Sequence, residues 1–243
     1  MVDIRVDSEI DQDNKKTSIL IIGIFENEHG SLHLNRIDAS LSTTIDEIIN
    51  NKEFRGVLGS NIILYTPDNG RIKKVMLIGL GKREKFTKET ARIIAGKAAL
   101  KAKEMGLSDI SIIPFSDNLD EGLTEAIAEG VLLSSYSFKQ YKTNDEASSS
   151  SELSEVTVIT NSESSKYQEI LNNVNLVAQA VFFARDLGNL PPNECSPAHL
   201  ANVAISLGNE YQMKTRIIER YEMESIKLAG LSRWEKAVTT HPK

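Results

Sequence analysis

Ala184-Arg-Asp-Leu-Gly-Asn-Leu-Pro-Pro-Asn-Glu-Cys-Ser-Pro197 is the stretch that divides this chain. Ile170 to Ala184 ahead of it repeats apolar residues at helical spacing, within a helix predicted over Lys166 to Leu187. Behind it, Ser196 is placed to cap a second helix, with Pro197 at the first helical position. Pro191-Pro192 cannot continue a helix, and the first proline pushes Leu190 toward extended backbone. Gly188 and Asn189 are the expected C-terminal cap of the incoming helix. The stretch therefore reads as a rigid extended connector between two helical elements.

Outward from this junction, the chain alternates strands and helices. Thr17 to Phe25 is a continuous apolar run, as in a strand covered on both faces. Leu32, Leu34 and Ile37 suggest a second short strand, and Leu41, Ile45, Ile48 and Ile49 a helix. Asn61 to Tyr65 and Val75 to Leu80 read as strands joined by the turn Pro67-Asp-Asn-Gly70. A helix follows from the capping Thr87 to a stop at Gly106, its inner face small: Ala91, Ala95, Ala98, Ala99 and Ala102. Small residues let a helix lie close on a sheet. Asp109 to Phe115 is a further strand, and Leu119, Leu123, Ile127 and Val131 mark another helix, with Phe138 and Tyr141 as aromatic anchors after it. Asn144 to Ser154 is low in complexity and predicts a mobile surface loop, and Glu155 to Thr160 returns as a strand. Beyond the junction come a helix over Ala198 to Leu207, a strand over Met213 to Ile218 and a short helix near Glu222 to Lys227. The alternation predicts an α/β sandwich for the first part of the chain.

Composition narrows the function classes. The 243 residues are 40% apolar and 26% charged, the balance of an ordinary globular protein. A net charge of −6 and a pI near 5.4, with no clustering of basic and aromatic residues, speak against a nucleic-acid surface. A single cysteine, Cys195, excludes an internal disulfide and fits a reducing compartment. Met1-Val-Asp-Ile-Arg5 lacks the apolar core of a signal peptide, and no run reaches the 18 residues of a membrane span. A soluble cytoplasmic protein is the expectation.

Four local patterns call for a chemical reading. His29 and His33 stand four apart, but Gly30 and the turn composition between them argue against one shared metal. Gly79-Leu-Gly-Lys82 lacks the third glycine of a dinucleotide fingerprint and the spacing of a P-loop, so a tight strand-to-helix turn is expected, with nucleotide binding as the alternative. Cys195 has a histidine four residues on, His199; a structural loop cysteine is the expected role, against a cysteine–histidine pair. Arg185 and Asp186 are expected to form a local ion pair or cap at the helix end.

The order of several motifs carries a resemblance. Arg185-Asp186-Leu187, Asn189, Pro191-Pro192-Asn193, Ser196-Pro197 and Leu200-Ala201 look like the domain junction of the cytosolic leucyl aminopeptidases. Leu77 to Lys82, Glu129 to Tyr136 and Phe138 to Lys142 are similar to further signposts of that family, in the right order. The resemblance runs from about Lys73 to Leu231. It implies a regulatory, macro-like N-terminal domain over 1–163, a mixed sheet flanked by helices. A linker helix and junction over 164–190 and the start of an incomplete second α/β domain over 191–243 follow. The intact family releases N-terminal amino acids from peptides, uses two divalent manganese or zinc ions, and forms homo-hexamers. The metal-binding lysine, aspartates, glutamates and a nearby arginine belong to a long C-terminal domain and match no position here. No catalytic, metal-binding or substrate-binding residue is therefore assigned, no cofactor is expected in this chain, and it is expected to be inactive alone. The alternative is a stand-alone interaction or oligomerisation module, or a binder of nucleotide derivatives.

The tail over 232–243 departs from the family, so Trp234 and His241 are assigned nothing. Written as TGG GAA AAG GCA GTA ACA ACC CAC CCA AAA, with TCG CGG ahead, its codons hold a second frame. That frame reads Ala-Val-Gly-Lys-Gly-Ser-Asn-Asn-Pro-Pro-Lys, which resembles what family members carry there. A frame change that replaced the catalytic domain is the expectation, with a genuinely short paralogue as the alternative. Such a cut is expected to leave Ile205, Leu207, Ile217 and Ile218 without partners, and so to give poor solubility or disorder after Pro192.

Overall fold

A computed structural model describes residues 2–7, 17–27, 39–66, 72–115, 121–141, 152–159 and 164–226. Several expectations fall outside these residues: the strand of Leu32 to Ile37, His29 and His33, the turn Pro67 to Gly70, Leu119, most of the serine-rich bridge and the 232–243 tail.

Six strands form one mixed sheet in the order β1-β6-β5-β2-β4-β3. They are β1 (Asp3–Asp7), β2 (Leu20–Phe25), β3 (Asn61–Tyr65), β4 (Lys74–Gly81), β5 (Asp109–Ile112) and β6 (Glu155–Ile159). All neighbours are parallel except β3, which runs antiparallel to β4 with Asn61 opposite Ile78 and Tyr65 opposite Lys74. The central strands read as unbroken apolar runs because both faces are covered. Their alternation sorts the core into two layers. Leu20, Ile22, Ile24, Val75 and Leu77 pack with Ile45, Ile48 and Ile49 of α1 (Ala39–Asn50). Ile21, Met76, Ile78, Leu80, Ile110, Ile112, Val156 and Val158 face the other layer. That layer is α2 (Lys88–Glu104), α3 (Glu121–Ser135) and α4 (Ser164–Asn189). The mixed α/β sheet flanked by helices is thus the expected one.

Local chemistry explains α2. The Thr87 hydroxyl accepts from the Thr90 amide, and Thr90 returns the bond to the Thr87 amide, so the first turn caps itself. Gly106, at φ +75°, ends it as expected. The alanine stripe is fully buried, and α2 and α3 meet closely where Gly96 faces the Gly130 carbonyl.

Other boundaries differ from expectation. β2 starts at Leu20, with Thr17 held by a single bridge to Ile72. β5 stops at Ile112, two residues before Pro114, which lacks the amide a ladder needs. The end of the bridge is fixed: Leu153 is buried and Ser154 donates its amide to the Ser108 carbonyl at 2.7 Å. Phe138 and Tyr141 stack at 5.7 Å, but Tyr141 stays 51% exposed, so the pair does not anchor the core.

By compactness the chain falls into two units, Met1–Asp186 and Leu187–Lys243. The first half of α4 belongs to the core of the first: Tyr167, Leu171, Val174 and Ala178 are buried at helical spacing. In the second, α5 (Pro197–Glu210) and α6 (Arg220–Ser225) are formed. Ile205 and Ile218 are exposed, and Leu207 and Ile217 are half-buried. The strand expected over Met213 to Ile218 is not one. Among the described residues no neighbouring strand takes its hydrogen bonds; Gln212 turns the chain at φ +54°, and Met213 and Thr215 bond back to Gly208 and Ala204 of α5.

Candidate functional site

The glycine motif after β4 is a packing device. Gly79 and Gly81 lie within β4 itself, beneath an arch formed by Gly56 to Ser60. The Gly79 amide donates to the Ser60 carbonyl at 2.8 Å and the Gly81 amide to the Gly56 carbonyl at 2.9 Å. The Gly59 amide in turn donates to the Gly79 carbonyl at 2.8 Å. Amides so engaged are not available to cradle a phosphate. A short 3₁₀ turn, Arg83–Lys85, also separates the motif from the N-terminus of α2.

At the junction, the Ser196 hydroxyl accepts from the His199 amide at 3.2 Å with Pro197 in the first turn, the cap expected there. Gly188 and Asn189 do not cap α4. The helix runs through both, neither adopts a left-handed backbone, and the helix stops at Leu190. Pro191 explains this, because it excludes its predecessor from helical backbone. Gly188 has open space around it, with no atom within 4 Å of an added Cβ. Gly188→Ala is therefore expected to stabilise the last turn by about 0.5 kcal/mol. Hydrogen exchange of the amides over 186–190 should slow about twofold. Cys195 is half-buried in this turn, its amide donating to the Pro191 carbonyl at 2.9 Å. Among the described residues no bond links its thiol to His199.

The ends of α3 and α4 close on one another in a clasp. The Tyr136 hydroxyl donates to Asp186 Oδ1 at 2.8 Å, and Arg185 donates to the Leu133 carbonyl at 2.9 Å. The Arg185 guanidinium lies 5.3 Å from the centre of the Tyr136 ring, whose neighbour at 5.3 Å is Phe182. Arg185 and Asp186 therefore reach partners some fifty residues away; the local ion pair expected between them is replaced by these contacts. One turn deeper, Arg92 of α2 holds Glu129 of α3 at 2.6–2.7 Å and also pairs with Glu89. Burial draws its pKa down, but the hydrogen bond and charge of Glu129, with Glu89, outweigh that and leave it above the ordinary arginine value.

Beside the clasp opens a cavity of about 320 Å³, lined by Tyr136, Phe182, Asp186, Lys103, Lys139 and Glu152 among others. Val2 and Leu153, both buried, contribute apolar lining. Lys139 and Glu152 form an ion pair. Tyr136 and Arg185-Asp186 were each legible as motifs, but nothing local in the sequence joins them to Lys103 or Leu153.

Among the described residues no three His, Cys, Asp or Glu side chains gather where they could hold a metal ion. The described residues thus do not form the carboxylate set that a two-metal centre needs. Nor, among them, is any helix long and apolar enough to cross a membrane.

Residues 21–145 match the model of the N-terminal domain of the cytosol aminopeptidase family. A probable cytosol aminopeptidase of Alkaliphilus metalliredigens (strain QYMF) is 32% identical over 221 residues, 88% of this chain and 44% of the relative. Among solved structures, a mutant tomato leucine aminopeptidase superposes with a TM-score of 0.76 at 20% identity, covering 93% of this chain and 46% of that one. The bottromycin maturation enzyme BotP in complex with Mn superposes with a TM-score of 0.57 at 19% identity, over 80% and 36% of the two chains. At these identities the two structures establish likeness of fold. The chain spans about half the length of the curated relatives it matches.

Proposed function

The chain belongs to the cytosol aminopeptidase family, and from that premise we propose that it serves as the non-catalytic N-terminal portion of a leucyl-aminopeptidase-like enzyme. The observation that carries this reading is the match of the family's N-terminal domain to residues 21–145. In it, 1–163 forms a macro-like domain, 164–190 the linker helix and junction, and 191–243 the start of an incomplete second domain. The whole enzyme takes peptides as substrates, releases their N-terminal residues with two manganese or zinc ions, and assembles in the cytoplasm as a homo-hexamer. The Mn-bound bottromycin enzyme among the structural neighbours supports a metal for the whole enzyme. Hydrolysis belongs to ligands that the described residues do not bring together.

The pure chain is therefore expected to show no turnover of leucine anilide with added Mn²⁺. Metal-dependent hydrolysis that a chelator abolishes overturns the reading. The alternative, an interaction module that joins intact aminopeptidase subunits, draws support from Leu176, Val177 and Phe183, which α4 leaves 64%, 55% and 42% exposed. Light scattering after size exclusion tests it, because a strict monomer that ignores the full enzyme removes its support.

A further inference from the structure

We propose that the cavity beside the α3–α4 clasp binds a free α-amino acid with an apolar side chain. Its walls carry two ammonium groups and two carboxylates, so they offer separated charges of both signs without a net excess of either. Such a lining suits a zwitterion better than a simple anion or cation. Lys139 and Glu152 already satisfy one another. Lys103, half-buried on the last turn of α2, has no ion-pair partner among the described residues and is the group available for a ligand carboxylate. Asp186 takes the ligand ammonium: the Tyr136 hydroxyl occupies one lone pair of its Oδ1, and a carboxylate accepts several bonds at once. The Tyr136 and Phe182 rings and the buried Val2 and Leu153 line the same cavity, an apolar surface for a branched or aromatic side chain.

A volume of about 320 Å³ sits at the lower end of small-ligand sites, room for an amino acid. The recognition argument makes no use of the family reading, although a free amino acid is also what an aminopeptidase releases. Occupancy would be felt at Asp186, on the last turn of α4 before the junction.

Calorimetric titration of the whole chain tests this with three probes: L-leucine, 4-methylpentanoate, which lacks the ammonium, and 3-methylbutylamine, which lacks the carboxylate. Saturable binding of leucine is expected, with each analogue at least tenfold weaker. Lys103→Met keeps the aliphatic stem and Asp186→Asn keeps an acceptor for Tyr136, so both should melt as the parent does while binding leucine at least tenfold more weakly. No saturable heat with leucine at millimolar concentration overturns the proposal. So does equal binding of either analogue, or full leucine binding by both variants. None of these outcomes bears on peptide hydrolysis, which the anilide assay reads separately.

Discussion

Gly130→Ala is expected to destabilise the first unit by about 3 kcal/mol, although alanine is ordinarily the better helix former by about 1 kcal/mol. The reason is the crossing of α2 over α3. A Cβ built at Gly130 would lie 2.1 Å from the Arg92 carbonyl oxygen and 2.9 Å from its carbon, both backbone atoms of a packed helix. Neither can rotate away. To admit the methyl group, α2 must shift from α3, opening the close approach at Gly96 and stretching the bonds between Arg92 and Glu129. A thermal melt should fall by about 6–12 °C. Gly122→Ala in the same helix is the control, since its Cβ meets only the end of the flexible Lys88 side chain and the melt should hardly move. Equal melts for the two variants contradict the packing assigned to this crossing.

Gly79→Ala should cost a comparable amount, about 3 kcal/mol or more, for a different reason. Its Cβ would stand 2.0 Å from the Val57 carbonyl oxygen and 2.7 Å from the Gly56 carbonyl carbon. The arch above it is tied by three backbone hydrogen bonds and held by Gly56 and Gly59 at φ +69° and +76°, where any side chain is strained. β3 begins one residue after the arch, so lifting the arch drags the β3–β4 pairing with it. Hydrogen exchange at Ile62 to Leu64 and Val75 to Leu77 should accelerate more than exchange in β5 and β6. Uniform acceleration across the sheet would mean that Gly79 has no special hold on that edge.

How far the fold was legible depends on the range of the forces that set each feature. The capping of α2 by Thr87, its arrest at Gly106 and the start of α5 at Ser196-Pro197 are decided within four residues, and each stood where the sequence placed it. The apolar runs of β2 and β4 announced strands with two covered faces, and the structure sorts their alternate residues into two cores. The family resemblance lay in the order of short motifs, and the match to the aminopeptidase N-terminal domain confirms it.

Met213 to Ile218 failed where its propensity was sound, because a strand needs a neighbour and none is offered among the described residues. Gly188-Asn189 failed because a cap signal is permissive: glycine can end a helix but need not, and Pro191 sets the limit instead.

By itself, then, the sequence determined the apolar strands and helices of the sheet unit, the caps and stop at Thr87, Gly106 and Ser196, and the family, since these are written in neighbouring residues or in the order of motifs. Tertiary structure alone decided why Gly79 and Gly130 must be glycines, that Arg185 and Asp186 turn to α3, and that Lys103 shares a cavity with Asp186. Those facts join residues from about twenty to more than eighty positions apart. Their proximity is set by how the helices pack on the sheet, and no local pattern in the chain encodes that distance.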